Sequence, residues 1–385
     1  MHTYSPLPVT FTHGEGAWLW DATGKKYLDA ISGIAVTGLG HAHPEVSAAI
    51  CEQANRLLHT SNLFQIELQQ RLADKLIHLT GMDNVFFSNS GAEANEAAIK
   101  LARLYGRNKG IQQPNIVVTE NSFHGRTLAT LSASGNRKIQ AGFEPLVSGF
   151  TRAPYNDIDA LYNIARQDKN VVAILVEPIQ GETGIVIPDA GYLSKIRELC
   201  DEFGWLMMLD EIQTGIGRSG QWFAFQHNNI KPDVMTLAKA LGNGIPIGAC
   251  IASGNAANTF QPGNHGSTFG GNPLACRTSL TVLEVIEKQK LVERAALLGP
   301  RILSALQQRL KNHKQVMEIR GMGLLLAIEL KQSCQVLAQQ ALDIGIVINV
   351  ANENKIRLLP PLIISDDEAD LLVDKISQLI EGFTP

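Results

Sequence analysis

The sequence predicts an α/β protein built on a mostly parallel sheet, and three observations carry the prediction. From about residue 47 to 285 short strands alternate with helical stretches, the strands are unbroken apolar runs, and both chain ends change character. A sheet covered by helices on both faces requires unbroken apolar strands. The repeated strand–helix order makes that sheet mainly parallel.

Residues 1–46 carry Gly-rich turns around Trp18–Asp21 and Gly24–Tyr27. The central strands are expected at Asn84–Ser88, Asn115–Thr119, Val171–Glu177, Leu206–Asp210, Asp233–Ala238 and Ile247–Ala252. Residues 320–363 read as strands again, at Gly323–Leu330, Gly345–Val350 and Lys355–Leu359, with helices before and after. We therefore expect a large domain over 47–285, with 1–46 and 286–385 pairing as one smaller α+β domain.

Composition narrows the function. The 385 residues are 45% hydrophobic and 18% charged, with 33 Lys+Arg against 37 Asp+Glu and a net charge of −4. With the 34 glycines the apolar share is roughly 54%, above the usual ~45–50%. Dispersed basic residues in a mildly acidic chain exclude nucleic acid and anionic membrane as main partners and leave a small molecule. The longest apolar runs, Val171–Val176 and Trp205–Leu209, fall far short of the ~18 residues a bilayer needs. Met1–Thr10 lacks a basic-then-apolar signal pattern, so a cytoplasmic protein is expected.

Cys51, Cys200, Cys250, Cys276 and Cys334 are odd in number and never form Cys-x-x-Cys, which points to reduced thiols. His41 and His43 stand two apart before Pro44 without acid or thiol partners nearby, so they read as loop-stabilising and no metal is expected.

Ligands of open α/β sheets bind beyond the carboxyl ends of the strands, so polar residues at those ends are the ones to weigh. Ser88-Asn-Ser-Gly-Ala-Glu-Ala-Asn-Glu begins an Ala-rich helix running to about Tyr105. Its free N–H groups, flanked by Ser90, Gly91 and Ala92, suit an anion. A capping box, with Ser90 as N-cap and Glu93 reaching back, is compatible with that use. Asp210 ends a buried strand and must find a cation or strong donors, whether a ligand or an ordinary salt bridge.

Lys239 follows another apolar strand and precedes Gly242-Asn-Gly244. Desolvation there would lower its basicity and make it a nucleophilic amine, although a snorkelling surface lysine is the commoner fate. Gly266-Ser267-Thr268 is a hydroxyl-bearing glycine turn suited to further phosphate contacts. A phosphate cradle, an acid for a cationic ring nitrogen and an amine for an aldehyde are together the groups that pyridoxal phosphate needs.

At these residues the chain resembles the class III (subgroup II) pyridoxal-phosphate aminotransferases. Nine segments match in order: Gly40-His-Ala-His-Pro, His59-Thr-Ser-Asn62-Leu-Phe, Ser88 to Ala98, Ser122-Phe-His-Gly-Arg126-Thr, Glu177-Pro-Ile-Gln-Gly-Glu182, Leu209 to Gly215, Leu237-Ala-Lys239-Ala-Leu, Gly266 to Pro273 and Arg357-Leu-Leu-Pro-Pro. The resemblance implies fold type I, with a mostly parallel seven-stranded sheet in a large cofactor-binding domain and a smaller α+β domain from both chain ends. It also implies a homodimer whose active site is shared between subunits.

By the same resemblance Lys239 would form the Schiff base with pyridoxal 5′-phosphate and shuttle the proton, and Asp210 would pair with the ring nitrogen. Gln213 would reach the ring's 3-oxygen, and Phe123 would stack on the ring. Ser90, Gly91 and Ala92 would hold the phosphate, and Thr268 would reach the phosphate of the other subunit. Arg126 would fork the substrate α-carboxylate, with Ser267 nearby; Ser267 stands where many relatives carry Thr. Glu182 and Arg357 would be a switch, closed for the amino donor and open for a carboxylate of 2-oxoglutarate, or else an ordinary salt bridge. Ile34 stands where ornithine-specific relatives carry a tyrosine, and it suits an acylated nitrogen; Asn62 lies in a segment of the same kind.

The implied reaction is N2-acetyl-L-ornithine plus 2-oxoglutarate to N-acetyl-L-glutamate 5-semialdehyde plus L-glutamate, in arginine biosynthesis. Transaminases of succinylornithine, N-succinyl-diaminopimelate, ornithine or 4-aminobutyrate stay open as alternatives, as does a catalytically silent binding protein of the same fold.

Overall fold

A computed structural model describes residues 1–384. Its centre is a seven-stranded sheet in the spatial order Asn84–Ser88, Gly248–Ala252, Val234–Leu237, Leu206–Asp210, Val171–Val176, Asn115–Thr119, Phe150–Ala153. Gly248–Ala252 is antiparallel to both neighbours, and the other pairings are parallel. The edge strand Phe150–Ala153 is the one the sequence did not mark. It is only part-buried and has Arg152 in its middle, so no apolar run announces it.

The unbroken apolar strands have a direct structural cause. Met207 and Leu209 point into one core, with Ile174, Val176, Met235 and Leu237. Leu206 and Met208 point into a second core on the opposite face, with Ala173, Leu175 and Val234. Alternate residues thus feed two cores, and every position of Val171–Val176 is buried. The helix Gly91–Asn108 places Ala97, Ala98, Leu101 and Ala102 in the second core.

The chain ends build two four-stranded sheets. Phe11–Glu15, Trp18–Asp21 and Lys26–Asp29 form an antiparallel meander, joined in parallel by Ile346–Val347, with Ile346 opposite Leu28. Trp18–Asp21 is therefore a strand, where the glycines around it had suggested only turns. Val316–Met322, Leu325–Leu330, Lys355–Leu358 and Asn349–Ala351 form the second sheet. The single strand expected over 345–350 is split between the two sheets. Its first half pairs with the N-terminal meander and its second half with Lys355–Leu358. Helices Leu291–Arg309 and Asp366–Glu381 cover this smaller α+β domain.

Among the described residues no helix is long and apolar enough to cross a membrane, and no group of three or more His, Cys, Asp or Glu could hold a metal. The five cysteines are free; Cys51 is exposed and the other four are buried.

Candidate active site

The parallel strands deliver their last residues to one edge of the sheet, and a cavity of about 410 Å³ opens there. Ser90, Gly91, Ala92, Phe123, Arg126, Glu177, Glu182, Asp210, Gln213 and Lys239 line it, together with Val36, Asn89 and His124. Residues as far apart in sequence as Val36 and Ile247 meet at this one place.

The first strand–helix turn forms one wall. Ser90 caps the helix Gly91–Asn108, its hydroxyl accepting the N–H of Glu93 at 3.2 Å. The Glu93 carboxylate reaches back one residue further than a capping box requires, to the N–H of Asn89. Gly91 and Ala92 precede Ala94, the first intrahelical donor, so their N–H groups are free and, with the positive end of an 18-residue helix, face the cavity.

Asp210 ends the Leu206–Asp210 strand and is buried. Its Oδ2 accepts from Asn95 Nδ2 and His124 Nδ1, each at 2.8 Å, and its Oδ1 accepts from the N–H of Ile212 at 3.1 Å. Asn95 is fixed in turn, donating to the carbonyl of His124 at 2.8 Å and accepting from Thr236 Oγ1 at 2.8 Å. The sequence reading singled out Asp210 and passed over both of its side-chain partners. A signal was present, since Asn95 is a polar residue on the buried, Ala-rich face of its helix, between Ala94 and Ala97.

Glu177 was also passed over. It is buried and accepts the N–H of Phe123 at 2.9 Å and of Gly181 at 3.1 Å. Burial raises its carboxyl above the usual range, the charge of Asp210 adds to the rise, and His124 opposes it. Through those two bonds Glu177 fixes the aromatic ring of the cavity and the turn leading to Glu182. Gly181 lies against the Gln213 amide so closely that a Cβ would collide with it. Gln213 Oε1 is buried without a partner.

Lys239 follows the Val234–Leu237 strand and has φ of 47°, the left-handed region that a side chain makes costly. Burial lowers the pKa of its amine from the ordinary 10.5, against the opposing pull of Glu182 and Asp210. Arg126 is exposed and lies over the Phe123 ring, 5.7 Å from its centre. Arg357, on the Lys355–Leu358 strand, donates to Glu182 Oε2 at 3.0 Å, the Gly181 carbonyl at 3.1 Å and Asn349 Oδ1 at 2.8 Å. The two partners of this ion pair differ, with the Glu182 side chain 43% exposed and that of Arg357 only 2%.

Five of the predicted residues lie off the cavity wall, among them Arg357, which is joined to the wall through Glu182. Ile34 packs with Ile179, Ile185, Leu325 and Leu359, and Val36 takes the place on the wall. Ser32, Gly33, Ile34 and Ala35 all have positive φ, a left-handed turn held by Asp29, which accepts the N–H groups of Ile31 and Ser32. Asn62 is exposed and donates to the carbonyls of Ser267 and Gly270, each at 3.1 Å. Ser267 Oγ accepts from Gly270 N at 2.9 Å and from Asn89 Nδ2 at 3.3 Å, which ties that loop to the cavity rim. Thr268 is exposed.

Known proteins are similar to the chain along nearly its whole length. The family described as Aminotransferase class-III matches residues 1–380. The acetylornithine aminotransferase of Nitrosomonas europaea is 55% identical, covering 100% of this chain and 98% of its own. Among solved structures, an acetylornithine aminotransferase from Elizabethkingia anophelis superposes with a TM-score of 0.90 at 37% identity, covering 100% of this chain and 96% of its own. The ornithine aminotransferase of Toxoplasma gondii reaches a TM-score of 0.96 at 35% identity, covering 99% and 92%. With this match along its length, and with a lysine, an acid and a helix N-terminus converging on one cavity, the chain belongs to the class-III aminotransferases, which are pyridoxal-phosphate enzymes.

Proposed function

We propose that the chain transfers the δ-amino group of N2-acetyl-L-ornithine to 2-oxoglutarate, giving N-acetyl-L-glutamate 5-semialdehyde and L-glutamate, as a cytoplasmic step of arginine biosynthesis. The observation that carries the reading is the buried Arg357 paired with a half-exposed Glu182 beside the cavity of Lys239 and Asp210. The 55% identity to an acetylornithine aminotransferase supports the choice of donor.

The cavity fits pyridoxal phosphate. Gln213 Oε1 is a buried acceptor in want of a partner, and the N–H groups of Gly91 and Ala92 suit a phosphate. When bound, the cofactor supplies an aldehyde that bonds amines and a ring that accepts the electron pair released when a neighbouring carbon loses its proton. Asp210, oriented by Asn95 and His124, would hold the ring nitrogen, and Gln213 would hold the 3-oxygen. Lys239 would be the amine that joins the aldehyde carbon, and its Nζ would hold and return a proton beside the donor's δ-carbon. Phe123, its backbone fixed by Glu177, would cover the ring and keep water from it.

Arg126 holds the donor's α-carboxylate through a fork that lysine cannot reproduce. The donor's reacting end carries no acid, so Glu182 stays on Arg357. 2-Oxoglutarate brings a second carboxylate, Glu182 swings toward solvent, and Arg357 takes the acid. An apolar wall at Val36 disfavours a free ammonium and accepts an acylated nitrogen.

The active unit is a homodimer. Leu57, Leu58, Leu63, Phe64 and Phe269 are exposed on two segments joined through Asn62 and Ser267, and an apolar surface of this kind calls for cover. Thr268 and Ser267, beside Phe269, would serve the site of the partner copy.

Steady-state rates with acetylornithine, succinylornithine, ornithine and 4-aminobutyrate test the reading. Acetylornithine is expected to give the highest kcat/KM, and a clear preference for free ornithine would overturn the assignment of the donor.

A further inference from the structure

Arg218 is among the largest side chains that the fold buries completely, at 1% exposure. Its Nη1 donates to the carbonyl of Pro360 and, at 3.3 Å, to that of Leu324, while Nε and Nη2 are buried without partners. Burial draws its guanidinium down to about 10 from the ordinary 12.5, with the charge of Asp29 opposing. A buried cation held by carbonyls alone weakens a fold, and an apolar side chain of similar volume would fill the space at lower cost.

The location of its two acceptors is informative. Pro360 lies three residues beyond Arg357, and Leu324 immediately precedes Leu325–Leu330, the neighbouring strand of the same small-domain sheet. Arg218 itself stands eight residues beyond Asp210, on a loop folded back by Glu211, whose carboxylate accepts the N–H groups of Ala224 at 2.9 Å and Phe225 at 2.8 Å. The backbone repeats the link, since the N–H of Leu324 donates to the Arg218 carbonyl at 2.9 Å. Gly323, at φ of 56°, rests on Ser219 and Gly220 so closely that no Cβ would fit. The residue before Pro360 also anchors the N-terminal turn, because Leu359 accepts from Ser32 Oγ at 2.8 Å and donates to the Ala30 carbonyl at 2.7 Å.

We propose that Arg218 is a positioning residue for the keto acid: by tying the Pro360 and Leu324 carbonyls to the loop that leaves Asp210, it fixes where Arg357 presents its charge relative to Lys239. Both bonds leave one nitrogen, Nη1, whose two N–H directions are fixed in the guanidinium plane, whereas the donors of a lysine ammonium rotate. The proposal rests on the reading of Arg357 as the group that takes a carboxylate of 2-oxoglutarate.

The test is single-turnover kinetics of each half-reaction in the holoenzyme, for the native protein, Arg218→Lys, Arg218→Met and Arg357→Gln. Both Arg218 variants are expected to keep the visible absorption of bound cofactor and a donor half-reaction within about twofold. Their apparent dissociation constant for 2-oxoglutarate rises about tenfold to a hundredfold, the scale of a misplacement of about 1 Å. Equal losses in both half-reactions overturn the proposal, as does an unchanged keto-acid constant where Arg357→Gln raises it. If Arg357→Gln leaves that constant unchanged, the reading of Arg357 falls, and the proposal with it. Failure of both Arg218 variants to give folded holoenzyme also overturns it, since Arg218 would then serve folding alone.

Discussion

His124 Nδ1 lies 2.8 Å from Asp210 Oδ2, both side chains are buried, and the other ring nitrogen of His124 has no partner. The pairing assigns the imidazole proton to Nδ1 and makes His124, with Asn95, the support that aims Asp210 into the cavity. Replacing His124 by Phe removes one of three donors to a buried acid. Loss of such a bond is worth about 1–3 kcal/mol, so kcat/KM is expected to fall about tenfold to a hundredfold, at 1.36 kcal/mol per decade. Cofactor retention on dialysis, followed by visible absorbance, should fall in parallel. Native retention and rate would show that Asp210 needs no such support.

Lys239 has a chemical prediction and a pH prediction. Lys239→Ala should abolish the visible absorption of the holoenzyme and lower turnover by at least the ~10²–10⁴ that proton transfer contributes. Because burial lowers the pKa of the amine, protonation blocks its attack on an aldehyde only below a pKa that is itself less than 10.5. The rate of cofactor uptake by the apoprotein should therefore rise with pH and level off below 10.5. A midpoint at or above the ordinary lysine value would contradict the desolvated amine.

Glu182→Gln leaves Arg357 buried without its acid, at a site where the pair is 3.0 Å apart. With the donor bound, that charge has no other neutraliser; with 2-oxoglutarate bound, the substrate supplies one. The donor half-reaction should therefore slow by about tenfold or more, as expected for a lost charged partner, while the keto-acid half-reaction stays near native. Equal slowing of both would make the bridge structural.

Exposed Phe64 and Phe269 predict the oligomeric state. Sedimentation should give a mass of two chains, and Phe64→Glu should shift it toward one chain with loss of activity. An active monomer would remove Thr268 from any role in a shared site.

The ends of the strands were legible in the sequence because each is an unbroken apolar run closed by a polar residue, as at Asp210 and Lys239. Phe150–Ala153 was not, because an edge strand buries one side only and carries no such run. Val36 and Ile34 exchanged places for a local reason. Their alternation follows from four successive left-handed residues, of which only Gly33 adopts that conformation without penalty. His124, Asn95 and Glu177 lie within the motifs that were recognised. Their weight comes from which atom meets which across the sheet, and sequence spacing does not carry that information. Arg218 was invisible for a similar reason, since its partners are carbonyl oxygens that every residue has.

The left-handed turn at Ser32–Ala35 also bears on how this enzyme could be altered. Each non-glycine residue there costs about 1–2 kcal/mol relative to right-handed backbone, and the turn persists because Asp29 grips its start while Leu359 accepts the Ser32 hydroxyl. A wall held under tension from both sides does not reshape itself around whichever molecule arrives, so the cavity acts as a gauge rather than a glove. Exchanging side chains at Ile34 or Val36 would recut the gauge and leave its frame standing. Adding or removing one residue between Ile31 and Thr37 would let the backbone relax to the right-handed form and erase the gauge altogether.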